Sequence, residues 1–190
     1  MLTTLSRIAL LGASLTVLAG PAAAQQKLIA EKSSISFTSK QMGVPVDGEF
    51  KRFDAQVLFD PKKPDASKVS FNVDLTSVDI GSTDTEKELR KPGWFDSAKV
   101  PTATFASTSV KSVSAGKFEF AGKLVIKGQT QNVVVPVTLT QKDGVTQAAG
   151  RFVIKRLDFK IGDGDWNDPS LVANEVTVAV KLVLSGVAPL

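Results

Sequence analysis

From Lys117 to Thr140 the chain reads KFEFAGKLVIKGQTQNVVVPVTLT, and apolar and polar residues alternate through it almost without a break. Phe118, Phe120, Leu124 and Ile126 share one parity and Lys117, Glu119, Lys123 and Lys127 the other, so an extended strand here has one apolar and one hydrated face. Lys127-Gly128-Gln129-Thr130 reads as a turn, after which Val133, Val135, Val137 and Leu139 resume the alternation. Such a sheet must set something apolar against its inner side, and whether that is protein or ligand decides what the molecule does.

The same period predicts strands over Ile35–Met42, Val44–Phe50, Phe53–Asp60, Val69–Ile80, Thr102–Val113, Gly150–Ile161 and Glu175–Ser185. Short strands at this spacing indicate a sandwich or a barrel. One helix is predicted: Thr83-Asp84-Thr85-Glu86 has the spacing of a capping box, Glu86 and Arg90 can pair four residues apart, and Pro92-Gly93 ends it. It is short and polar, with Leu89 its main apolar residue, so it cannot cover a sheet's inner face. Either a second sheet does so or the sheet closes on itself. Phe152 and Ile154 share one parity whereas Leu157, Phe159 and Ile161 share the other, which predicts a bulge near Arg156 and favours a curved, closing sheet.

At the N-terminus, Arg7, the apolar stretch Ile8–Leu18 and the small residues Ala22-Ala23-Ala24 predict a secretory signal peptide over residues 1–24. Residues 25–190 are then expected to form one exported domain, located in the periplasm. The chain's formal charge is +4, falling by one with Arg7, and no basic block marks a nucleic-acid site. The absences prune harder. With His 0 and Cys 0 the chain has no Ser-His-Asp or Cys-His machinery, no usual zinc site and no haem-ligating histidine; Tyr 0 removes phenolic acids.

Three constellations remain. Asp163, Asp165 and Asn167 alternate as in a calcium loop, but Asp168 and Asn174 stand where that loop needs Gly and Glu, so the stretch reads as a turn-rich connection. Two loops each deliver a tryptophan, Trp94 beside Phe95 and Trp166, serving as core plugs or as the rim of an apolar pocket. Arg156 and Asp158 would face the same side of a regular strand as a surface pair; turned inward by a bulge, Arg156 could meet a polar headgroup.

Four segments in order then carry a resemblance. Ser34-Ile35-Ser36-Phe37 with Val46-Asp47-Gly48-Glu49-Phe50, Trp94-Phe95-Asp96 leading to Pro101-Thr102-Ala103-Thr104-Phe105, Gly122 to Gly128, and Arg156-Leu157-Asp158-Phe159 followed by the Gly162–Trp166 loop resemble the YceI-like family of exported lipid-binding proteins, over Lys27 to Val187. Many members place a histidine in a run resembling Arg-x-x-His-Leu, where this chain has Arg90-Lys91-Pro92-Gly93, so any role of that histidine is missing here. The resemblance implies an all-β fold, an eight-stranded antiparallel lipocalin-like barrel with one short helix beside it, and an isoprenoid or other long-chain lipid inside.

The expected function is therefore non-catalytic: holding an amphiphilic lipid for transport, storage or sequestration, with transient membrane contact, no covalent cofactor and no nucleic acid. The expected lining is Phe118, Phe120, Leu124, Ile126, Val178, Val180 and Leu182, with Trp94, Phe95, Phe105 and Trp166 near the mouth and Arg156 on the headgroup. No catalytic or metal-binding residue is assigned. Two alternatives stay open: the lipid is a quinone serving a membrane electron-transfer system, or the barrel is filled and acts as an interaction module. A homodimer is compatible with each.

Overall fold

The computed structural model describes residues 26–190. The signal-peptide expectation, residues 1–24, lies outside them. Eleven strands form one antiparallel sheet: β1 (Lys27–Leu28), β2 (Ser34–Gln41), β3 (Val44–Phe50), β4 (Phe53–Leu58), β5 (Lys68–Asp74), β6 (Val78–Asp79), β7 (Thr102–Ser114), β8 (Lys117–Ile126), β9 (Gln129–Lys142), β10 (Val145–Lys155) and β11 (Glu175–Ser185). The helix, α1, spans Thr83–Leu89. The predicted alternation is realised: along β8, Phe118, Phe120, Gly122 and Ile126 turn inward while Lys117, Glu119 and Lys123 are exposed.

The strand order is β4-β5-β7-β8-β9-β10-β11-β2-β3-β6, with β1 on β11. The strand at one end of this path, β4, continues directly from β3 near the other end, through Lys51 and Arg52. β5 likewise continues into β6 through the 3-10 turn Leu75–Ser77. Phe53 opposes Val73 on one side of this double kink and Phe50 opposes Val78 on the other, so the sheet curls round upon itself. The kink is stitched at its centre. Lys51 N–H donates to Ser77 O (3.1 Å), Asp74 N–H to Arg52 O (3.0 Å), and the Arg52 guanidinium grips the Asp74 carboxylate at 2.8 Å.

The count of eleven rather than eight has a physical origin. The kink divides two long ribbons into four strands, and β1 adds a two-residue piece. The segment predicted as Val69–Ile80 is thus a strand, a 3-10 turn and a second strand.

The bulge expected near Arg156 is absent. β10 ends at Lys155 and a 3-10 turn, Arg156–Phe159, rotates the next apolar residues inward, which changes parity without a bulge. Asp158 consequently stays exposed while Arg156 is buried, and no ion pair forms between them. Register shifts do occur in β7, at Ser107/Ser109 and Ser112/Ser114. The first moves the inward parity from Phe105 to Val110, which is wholly buried.

The helix begins one residue earlier than the capping-box spacing suggests, with Ser82 as N-cap. Ser82 engages the Thr85 hydroxyl rather than a backbone amide, and Glu86 reaches back to Ile80 N–H at 3.3 Å. Arg90 does approach Glu86, at 4.0 Å. Leu89 packs at one end of the sheet's interior, near Phe95, Trp94 and Phe159.

Candidate functional site

Apolar side chains gather in two clusters inside the curled sheet. One, around Phe59, Val110, Phe118 and Leu184, lies toward the β7–β8 turn. The other, around Leu75, Val78, Phe95, Ile154 and Phe159, lies under α1. Leu124 and Phe152 touch both, but they do not fill the space between. A cavity of about 320 Å³ remains, walled by Ile35, Phe37, Phe71, Phe120, Leu124, Phe152, Val178 and Val180 among others. That volume sits at the small end of ligand pockets, about 300–1,000 Å³, so the interior is not filled by protein.

Two inward glycines let aromatic rings lie flat on the wall. A Cβ on Gly122 would come within 2.6 Å of the Phe105 ring, and one on Gly48 within 2.4 Å of the Phe37 ring. Polar lining is concentrated at one rim, where Ser39 and Gln41 of β2 face Thr85 and Glu88 of α1. Glu88 is held by Lys91 at 2.5 Å.

Of the expected lining, Phe120, Leu124, Ile126, Val178, Val180 and Leu182 all face the cavity. Phe118 does not: it packs edge-on against Phe59, centroids 5.1 Å apart, as a piece of the floor. Trp94, Phe95 and Trp166 line the α1 end, where the indoles meet at 5.8 Å with a 48° tilt. Phe105 sits mid-wall beside Phe71 rather than at a mouth. Residues that the strand pattern contained but the expectation omitted include Ile35, Phe37, Phe71 and Phe152; their inward parity was the available signal.

Arg156 departs most from expectation. Its relative exposure is 2%. Nε donates to Ala173 O (3.2 Å), Nη1 to Ile161 O (2.8 Å) and Gly162 O (3.0 Å), and Nη2 to Trp166 O (2.6 Å) and Val172 O (2.8 Å). A guanidinium has five N–H donors, and all are used. Burial pulls its pKa below the ordinary value, partly opposed by Asp163, but the group remains a cation. Arg156 therefore ties three chain segments together and has no donor left for a headgroup. By contrast, Trp94 Nε1 is buried without an acceptor, alone in this among the described residues' side-chain atoms.

The titratable residues lining the cavity are Glu88 and Arg156, the first ion-paired at the rim and the second saturated. The carboxylates of the 162–168 loop stay on the surface; Asp168 accepts Ser170 N–H at 2.8 Å, completing the turn the sequence suggested.

This is the class of antiparallel β structures that curl around an apolar space. The model of the YceI-like domain matches residues 27–184, and the chain belongs to that family. Protein YceI of Escherichia coli O6:H1 is 37% identical over 141 residues, covering 72% of this chain and 71% of that one. A UPF0312 protein of Azotobacter vinelandii is 42% identical over 88 residues, so the match spans less than half of each chain, 46%. Among solved structures, BcnA of Burkholderia cenocepacia superposes with a TM-score of 0.80 at 39% identity, covering 83% of this chain and 99% of that one. A polyisoprenoid binding domain from Saccharophagus degradans shares the fold, with a TM-score of 0.68 at 16% identity over 87% of this chain and 99% of its own.

Proposed function

We propose that the chain is a non-catalytic lipid-holding protein that encloses the hydrocarbon of one isoprenoid or related long-chain lipid, for transport, storage or sequestration in the periplasm. The observation that carries this reading is the unfilled apolar cavity of about 320 Å³. Burying a methylene releases about 0.8 kcal/mol relative to water, so an open cavity of this chemistry favours an aliphatic occupant. Relative to a bilayer the gain is small, because one apolar medium replaces another, which suits reversible carriage. The fold shared with the polyisoprenoid binding domain supports the ligand class.

A saturated Arg156 favours a ligand whose enclosed portion is uncharged, and Trp94 Nε1 can donate a single hydrogen bond to it. A quinone would satisfy both conditions, which keeps the electron-transfer accessory as a second reading. Organic extraction of protein purified from the exported fraction, followed by mass spectrometry, tests the proposal. Stoichiometric long-chain lipid is expected; a protein that yields none and takes up no added polyprenol sinks it. Redox titration of the extract separates quinone from prenol.

A further inference from the structure

The wall of the cavity contains a split, and its cause is one residue. β9 and β10 are joined by a two-residue turn, Asp143-Gly144, both with positive φ (52° and 75°). Such a turn makes Lys142 and Val145 a mutually hydrogen-bonded pair, and bonded pairs then recur every second residue: Thr140 with Gln147, Thr138 with Ala149, then Pro136 with Arg151. Proline has no N–H to give. The β9–β10 pairing stops one step earlier, at Val137 and Gly150, although both strands run on, β9 back to Gln129 and β10 forward to Lys155. On its other side β9 remains paired with β8 along its length to Gln129, because there Pro136 falls at a non-bonded position opposite Glu119.

Beyond Pro136 two strand edges therefore face each other without a ladder. The far end of the split is tied by side chains: Gln131 Nε2 donates to Asp158 O at 3.2 Å and Lys127 Nζ to Lys160 O at 2.5 Å. Its inner lips, Val135 on β9 and Phe152 and Ile154 on β10, line the cavity. Its outer lips carry Val134 and Val153, opposite each other if the register continued and each 54% exposed. Both faces of the split are thus apolar, whereas the rim by α1 is set with Gln41, Thr85 and the Glu88–Lys91 pair.

We infer that the Pro136 split is the lateral portal through which a lipid chain passes between a bilayer and the cavity. This rests on the lipid-holding reading. A side-on route spares a long chain from threading end-first past a charged rim, and unladdered edges can separate without breaking backbone hydrogen bonds.

The test uses the natural absence of cysteine, which makes introduced thiols the sole targets. Val134→Cys/Val153→Cys protein, joined by a short bis-maleimide, is compared with the same protein capped singly by N-ethylmaleimide and with Pro136→Val. Uptake of a fluorescent polyprenol from phosphatidylcholine–phosphatidylglycerol vesicles is followed in stopped flow. Bridging should slow uptake at least tenfold while final loading is unchanged, and Pro136→Val should slow it while protecting the Val153 amide from hydrogen exchange. Wild-type rates in the bridged protein would overturn the portal and leave the rim as the route. If even the capped protein takes up no polyprenol, the lipid-holding reading itself fails and the portal with it.

Discussion

Arg156→Met is the most informative single change, because it distinguishes a tie between loops from a ligand contact. The substitution removes five charge-assisted hydrogen bonds, of which those to Ile161, Gly162 and Val172 are fully buried. Each orphaned buried carbonyl costs about 1–3 kcal/mol. Against this, the folded state no longer holds a desolvated cation, which returns several kcal/mol. Carbonyls near the surface, such as Trp166 O, can also find water. Three orphaned carbonyls at that cost, less what the lost desolvation returns, leave an expected net loss of about 3–5 kcal/mol. In a domain of this size that lowers Tm by about 10 °C. Urea denaturation of the lipid-free protein gives the loss directly. Arg156→Lys keeps the charge but supplies only three donors from one point, so it should also destabilise, by about 2–3 kcal/mol. Should Arg156→Met lie within about 1 kcal/mol of wild type, or should Arg156→Lys retain full stability, the tie is not what holds these segments.

Three further outcomes are expected. Gly122→Ala places a Cβ at 2.5 Å from Ala106 O and 2.6 Å from the Phe105 ring, neither of which can swing away cheaply, and should cost about 1–3 kcal/mol by denaturant titration. Filling the cavity through Ala148→Leu with Val178→Phe should raise lipid-free stability by about 0.5–2 kcal/mol while reducing extracted lipid per mole; unchanged lipid would place the ligand elsewhere. Asp74 has its pKa lowered below 3.8 by the Thr76 hydroxyl, aided by Arg52 and the Thr76 amide and opposed by partial burial. A depressed carboxylate stabilises above its unfolded pKa and loses that contribution as pH falls through the folded value, so the decline of Tm below about pH 4 should be shallower in Asp74→Asn.

Strand identity was legible because burial on one face only writes itself as period two, and β8 and β9 carry it plainly. What parity cannot tell is why it changes. Between Phe105 and Val110 the cause is a bulge, and between Ile154 and Leu157 it is the end of a strand, yet the two look alike in one dimension. The double kink at Arg52 and Ser77 was hidden for another reason: it depends on hydrogen bonds between residues 25 apart. Arg156 was visible as a residue but its partners are carbonyls, which leave no trace in side-chain identity. Pro136, in contrast, stood in the open inside a run of valines, and a proline in a central strand is itself a sign of a broken ladder.

The pairing of β2 with β11, Ser36 opposite Ala179, joins strands from near the two ends of the described chain. The long hairpins from β7 to β11 need only neighbours in sequence and can form early. The seam cannot. Until the last strand is available, β2 has no partner on that side and the apolar face of the meander lies open to its surroundings. An emerging chain therefore passes through a stage in which the future interior is an exposed surface, where an apolar molecule or a chaperone can reach it before the sheet shuts. Timing of closure, as much as the finished cavity, thus sets which molecules can meet the interior.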